Sequence, residues 1–250
     1  MEDILTTALI ESALKNKTEV LLLPSVDSTN NEAKRLIKSG RNTELLIVSE
    51  EQTAGRGRQG KSFYSPKNTG IYMSLILFFE SGSEELLKIT TEAAVAVSRA
   101  IETLSSKAAK IKWVNDIYIG GKKVCGILCE SVKSVDGKTA VIIGVGVNIN
   151  TAEFPESVEN GGSIGSEISR ASLVCEITNE LYRAVFSGGE VIPYYRSRSV
   201  LTGKRIYFIK DGVKTPATAV DIDDRGGLVV LLENGEKQTL VSGEISVRAE

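Results

Sequence analysis

Apolar residues change their spacing along the chain, and each spacing predicts an element. Ile4, Leu5, Ala8, Leu9, Ser12 and Ala13 give the first sixteen residues a weakly amphipathic helical pattern. Val20–Leu23 reads as a short strand. Thr29-Asn30-Asn31-Glu32 fits a capping box at a helix start, and Gly40 stands where that helix would stop. Leu45–Ser49 is an apolar strand, and Ile71–Phe79 is a second, mostly buried one. From Glu84 to about Ser105, Leu87, Thr90, Ala94, Val97, Ile101 and Leu104 recur at steps of three and four, the longest helical pattern. Ile111–Val114, Asp116–Ile119, Lys123–Ser131 and Ala140–Asn148 follow as strands, with turns at Gly120-Gly121 and Asp136-Gly137. Leu173, Ile177, Leu181 and Val185 mark a later helix that ends at Gly188-Gly189.

From Thr202 the pattern alternates in short runs. Arg205–Ile209, Thr218–Ile222, Leu228–Leu232 and Lys237–Val241 are separated by turns at Asp211-Gly212, Arg225-Gly226-Gly227 and Asn234-Gly235. Some fifty residues of this kind fit a small closed barrel. The expected organisation is α+β, with a larger domain over residues 1–200 and the barrel over 201–250.

Composition narrows the chemistry. The chain has 250 residues, and 30 basic against 32 acidic side chains leave a formal charge of −2, so no global field holds a nucleic acid. The most apolar run, Ile71–Phe79, falls far short of the roughly 20 residues that span a bilayer. Met1-Glu2-Asp3 is acidic and unlike the start of a secretory signal. Cys125, Cys129 and Cys175 are too few and scattered for a disulfide framework or a zinc site, and Cys125 and Cys129 share one face of a strand. The reading is a reduced, cytoplasmic protein. Histidine is absent, which excludes a Ser-His-Asp triad, a Cys-His pair and imidazole metal ligation.

The remaining chemistry gathers in four segments. Gly55-Arg56-Gly57-Arg58-Gln59-Gly60 puts two guanidinium forks into a backbone that glycine leaves free to approach a ligand. Such a loop suits an anion such as a nucleotide triphosphate; a flexible basic turn and a loose RNA-binding segment are the alternatives. Repulsion among Arg56, Arg58 and Lys61 predicts a loop that orders when an anion arrives. Lys112-Trp113-Val114-Asn115-Asp116 is a polar cluster between strands, with Trp113 assigned to the core. In the third segment Lys123 enters a strand that Gly126 leaves thin, and in the fourth Gly144 and Gly146 share a strand face. Together these three glycines would floor a narrow slot.

With Ser28-Thr29-Asn30 and Gln52, these segments resemble the biotin protein ligases in order and spacing, over roughly residues 20 to 250. Ser242-Gly243-Glu244-Ile245-Ser246 resembles the end of that family's C-terminal barrel. The chain departs from the family pattern at Val114, where proline is usual, and at Phe63, where tryptophan is common. Only 27 residues precede Ser28, too few for the helix-turn-helix domain of the members that double as repressors.

The resemblance implies a mixed-sheet catalytic domain of the class II synthetase type followed by an SH3-like barrel. It implies formation of biotinyl-5′-adenylate from biotin and ATP with Mg²⁺, then transfer to a lysine of a biotin carboxyl carrier domain. It assigns biotin to Ser28, Thr29, Asn30, Gln52, Gly55, Arg56, Lys123, Gly126, Gly144 and Gly146. It assigns the nucleotide to Arg56, Gly57, Arg58, Gly60, Phe63, Asn115, Lys123 and Asn148, with no protein ligand for the metal. Arg56, Arg58, Lys112 and Lys123 would neutralise two mutually repulsive anions, and Asp116 would act as base. A homodimer joined at a sheet edge is a further implication. Lipoate protein ligases share the chemistry and are the nearest rival; a non-catalytic nucleic-acid binder and a biotin sensor are more distant ones.

Overall fold

The computed structural model describes residues 3–80, 86–165, 167–188, 190–210, 212–241 and the backbone of 246–249. The readings at Glu84, Gly189, Asp211 and Ser242 to Ile245 lie outside the described residues. The order is α1 (Thr7–Ala13), β1 (Glu19–Leu23), α2 (Thr29–Lys38), β2 (Leu45–Ser49), β3 (Gly70–Phe79), α3 (Leu86–Ser105), β4 (Lys110–Lys112), β5 (Asp116–Ile119), β6 (Lys122–Lys133) and β7 (Thr139–Asn148). Then come α4 (Arg170–Phe186), α5 (Val191–Arg198) and five strands, β8 (Arg205–Lys210), β9 (Val213–Ile222), β10 (Leu228–Leu232), β11 (Lys237–Leu240) and β12 (Ser246–Ala249).

The first seven strands form one mixed sheet in the order β1-β2-β3-β7-β6-β5-β4, with β1 and β2 parallel and the other pairs antiparallel. Strand periodicity sorts its two faces. Met73, Leu75 and Leu77 of β3 and Val141, Ile143 and Val145 of β7 join the main core with α3 and α4. On the other face Leu45, Ile47, Ile76, Ala140 and Ile142 pack under Ala33 and Ile37 of α2. That cluster covers only one end of the face. Further along it stand Ser74, Gly144 and Gly146, and Gly126 of β6 pairs directly with Gly146.

The C-terminal sheet is antiparallel in the order β11-β10-β9-β8-β12. The small β domain expected from the alternation is this five-stranded antiparallel sheet. Ile206, Phe208, Ala219, Ile222, Leu228 and Val230 belong to the same apolar cluster as α3, so the small sheet is packed onto the large domain.

Three local readings change. Ser28, not Thr29, is the N-cap of α2, and Thr29 is its first helical residue. The strand expected over Ile111–Val114 ends at Lys112, and the apolar Trp113 and Val114 are buried in the turn that follows. Helix α5 has no counterpart in the sequence reading; Pro193 stands in its first turn, where a missing N–H costs nothing.

Candidate functional site

The Gly-Arg segment leaves β2 and folds back on itself as a small hairpin. Phe63 N–H donates to Gly55 O (2.9 Å), Gly57 N–H to Lys61 O (2.7 Å), and Arg56 bridges Ser62. A tight turn over Arg58–Gly60 forms its tip, with Gln59 at φ 55° and Gly60 at φ 72°. This hairpin lies across the end of the sheet that α2 leaves uncovered, with Phe63 over Gly126 and Gly146.

Two of the cavities that border it carry most of the residues singled out from sequence. One, of about 130 Å³, is lined by Arg56, Arg58, Lys112 and Lys123, the four cations singled out from sequence, and also by Lys61. Asn115, Asp116 and Phe63 complete its polar and aromatic wall. Asp116 pairs with Lys123 (Oδ1 to Nζ, 2.7 Å). Arg58 Nη1 donates to Asn115 Oδ1 (3.2 Å), while Asn115 Nδ2 donates to Ile127 O (2.6 Å). Burial lowers the Arg58 pKa from its ordinary value, and the nearby Asp116 charge works against that shift.

The smaller cavity, of about 20 Å³, is lined by Ser28, Thr29, Asn30, Gln52, Gly126, Gly144 and Gly146. Its polar groups form a connected set. Gln52 Oε1 accepts from Thr29 N–H (2.9 Å) and Thr29 Oγ1 (3.2 Å), and Gln52 Nε2 donates to Ser65 Oγ (2.9 Å). Ser74 Oγ stands 2.7 Å from both Thr29 Oγ1 and Asn30 Oδ1. Asn30 Nδ2 donates to Leu128 O (3.1 Å) and Glu130 Oε2 (2.9 Å).

The glycine floor exists, but side chains of the protein itself cover it. A Cβ on Gly146 would stand 2.5 Å from the Phe63 ring, and one on Gly126 3.2 Å from it. A Cβ on Gly144 would stand 2.1 Å from Asn30 Oδ1. Gly144 is therefore required by the Asn30 amide, and Gly126 with Gly146 by the Phe63 ring. The ring of Phe63 divides the two cavities, while Arg56, Phe63, Gly126 and Leu128 line both.

Asn148 stands apart from the others. Its Nδ2 donates to Gly162 O (3.2 Å) and its buried Oδ1 has no partner among the described residues. The segment it braces packs on Lys123, whose N–H donates to Asn160 O (2.9 Å) and whose carbonyl accepts from Gly162 N–H (2.9 Å). Trp113 is buried as expected, and its Nε1 donates to Gly226 O (2.9 Å) of the C-terminal sheet.

Glu130, Lys34 and Asn31 escaped the sequence reading. Glu130 Oε1 meets Lys34 Nζ (2.6 Å) and Oε2 meets Arg56 Nη1 (2.9 Å); that same nitrogen donates to Asn31 Oδ1 (3.1 Å). Burial opposes the Glu130 charge, yet hydrogen bonds from Lys34, Asn30 and Arg56 hold its pKa below the usual carboxylate value. The whole arrangement offers five cations and a small polar chamber on either side of one aromatic ring. It can hold two anions side by side that would repel each other in water.

Comparison with known proteins gives a consistent answer. The model of the biotin/lipoate A/B protein ligase family matches residues 22–148, and that of the biotin protein ligase C-terminal domain matches 202–248. The bifunctional ligase/repressor BirA of Bacillus spizizenii is 32% identical over 225 residues, 85% of this chain and 69% of that protein. The biotin–[acetyl-CoA-carboxylase] ligase of Paracoccus denitrificans is 36% identical over 144 residues, 57% of this chain and 59% of that one. The biotin protein ligase from Aquifex aeolicus, solved in complex with biotin and ATP, superposes with a TM-score of 0.77 at 27% identity, covering 93% of this chain and 99% of that one.

Proposed function

The chain belongs to the biotin/lipoate A/B protein ligase family as a biotin protein ligase, and from that premise we propose how its residues divide the work. The protein is an ATP-dependent ligase that activates biotin and passes it to a carboxylase. One observation carries the assignment of roles: Arg56 lines both cavities, at the point where an acid in one and a triphosphate in the other would meet.

In this reading the smaller chamber takes the ureido ring, whose buried N–H and C=O groups need partners. Ser28 and Asn30 face it, with Thr29 held in place by Gln52. The acyl chain runs along Gly126 and Gly146 once the Phe63 ring turns aside, and the nucleotide lies in the larger cavity. Arg56 and Lys123 neutralise the carboxylate and α-phosphate, while Arg58, Lys112 and Lys61 serve the outer phosphates. A carboxylate oxygen attacks the α-phosphorus and pyrophosphate leaves. The carrier lysine then attacks the acyl carbon and AMP leaves. Asp116 is the candidate base for that amine once Lys123 turns from it to the ligand.

Magnesium would be carried by triphosphate oxygens and would screen their charge, with Asp116 the carboxylate that faces them. A biotin carboxyl carrier domain is the proposed acceptor. A catalytic domain over 1–200, a separate C-terminal domain, a homodimer along an edge of the larger sheet and a cytoplasmic location belong to the same reading. Strand β1 ends that sheet on one side among the described residues, which supports the edge contact, whereas β4 at the other side is bridged by Ser199. Cys125, Cys129 and Cys175 are free thiols, which fits a reducing compartment. No helix among the described residues is long and apolar enough to cross a membrane.

The test is incubation with biotin, MgATP and a carrier domain, following the acceptor by mass spectrometry. One biotinyl adduct on a lysine is expected. Labelling with lipoate in place of biotin, or no biotin-dependent ATP–pyrophosphate exchange, would overturn the assignment.

A further inference from the structure

The Arg56–Glu130 contact admits two opposite meanings. A carboxylate beside a ligand-binding arginine can compete with the ligand, or it can hold the arginine still. Position separates them. Arg56 lines both ligand cavities, whereas Glu130 lines neither; the two residues share only a third cavity of about 480 Å³, with Leu87, Thr90 and Cys129. Glu130 therefore meets Arg56 outside the two ligand cavities and does not occupy the place of a ligand in either.

Valence separates them further. Among the described residues Arg56 spends only Nη1, which is shared between Glu130 and Asn31. A guanidinium used through one nitrogen keeps its Nε and Nη2 donors for a second, two-pronged partner. Glu130 also fixes Asn30 through Nδ2, which aims Asn30 Oδ1 at Ser74 over Gly144. One carboxylate thus sets an acceptor, Asn30 Oδ1, in the chamber and the cation at the junction. Lys34 and Arg56 together outweigh its single charge, so the cluster still attracts anions.

We infer that Glu130 is a positioning residue for the adenylation step, holding Arg56 by one nitrogen and Asn30 by its amide so that the free guanidinium edge faces the meeting point of acid and phosphate. The inference rests on the assignment of Arg56 above.

Biotin-dependent ATP–pyrophosphate exchange tests it, run on the wild type, Glu130→Gln and Lys34→Met, with each melting temperature measured alongside. Lys34→Met removes the other cation of the same carboxylate and leaves Arg56 and Asn30 tied. Glu130→Gln is expected to lower kcat about 100-fold, with KM for ATP changed by less than about threefold and the melting temperature close to that of Lys34→Met. Lys34→Met is expected to lower kcat by less than about threefold. Equal losses in both variants would make the cluster a structural ion pair and overturn the inference. An unchanged kcat, or tighter biotin binding in Glu130→Gln, would do the same by making the carboxylate dispensable or a competitor. If Glu130→Gln melts below the assay temperature, Glu130→Asp takes its place, since it keeps the charge but is one methylene too short for both partners; the same split in kcat is expected. A wild type without exchange overturns the functional assignment itself, and this inference with it.

Discussion

Two carboxylate–arginine clusters in this molecule use similar atoms for different ends. At the joint between α3 and α5, Glu102 takes Arg198 through both oxygens (3.0 and 2.9 Å) and also accepts from Tyr194 Oη (2.9 Å) and Ala109 N–H (3.1 Å). Arg198 lies over the Tyr194 ring, 5.1 Å from its centroid. Two nitrogens of that arginine are engaged by one carboxylate. At the Gly-Arg loop, Arg56 is held by one nitrogen and borders three cavities. The number of guanidinium nitrogens left over separates a joint from a receptor.

Removing each arginine should split the two roles most widely. Arg56→Ala is expected to lower kcat/KM for pyrophosphate exchange about 1,000-fold with little change in melting temperature. Arg198→Ala should do the reverse, costing about 2 kcal/mol of stability in urea unfolding with exchange near the wild-type rate. A large exchange defect in Arg198→Ala would break the contrast.

Acid titration is the next probe. Burial works against the Glu102 charge, but hydrogen bonds from Arg198, Tyr194 and Ala109 lower its pKa below the ordinary 4.5. The unfolded chain therefore binds this proton first, and stability falls as pH drops from about 4.5 through the lowered folded value. Glu102→Gln should flatten that limb of the unfolding free energy against pH and cost about 1–2 kcal/mol at pH 7. A limb as steep as the wild type's would place the acid sensitivity elsewhere.

The smallest effect concerns the link between the cavity beside Lys112 and the C-terminal sheet. Trp113→Phe removes the bond from Nε1 to Gly226 O and should cost about 1 kcal/mol. Because Trp113 adjoins Lys112, exchange should fall by no more than about threefold if the bond only fastens the C-terminal sheet. A larger loss would mean that the two regions are coupled.

The sequence made the scaffold readable wherever the governing forces are local. The apolar run Leu45–Ser49, the three-and-four spacing that ends at Ser105 and the Gly120-Gly121 turn each follow from a few neighbouring residues, and all have counterparts in the structure. The four loop and strand cations could be singled out because glycine and charge coincide in short motifs. Glu130 lies 96 residues from Lys34 and 100 from Asn30, so nothing near it in the chain announces its partners. Phe63 could be noted as an aromatic, but its seat on Gly126 and Gly146 comes from pairing between β6 and β7. Helix α5 was missed because Pro193 hides a short helix that is held mainly by tertiary contacts.

The benzyl group resting on Gly126 and Gly146 has a thermodynamic consequence for vitamin capture. Hydrocarbon arriving there dislodges hydrocarbon already present, so desolvation gained by the newcomer is largely refunded as the displaced aromatic returns toward water. Discrimination then falls to the heteroatoms at either terminus of the guest. A fatty acid of equal length, lacking the ureido function, should gain little foothold.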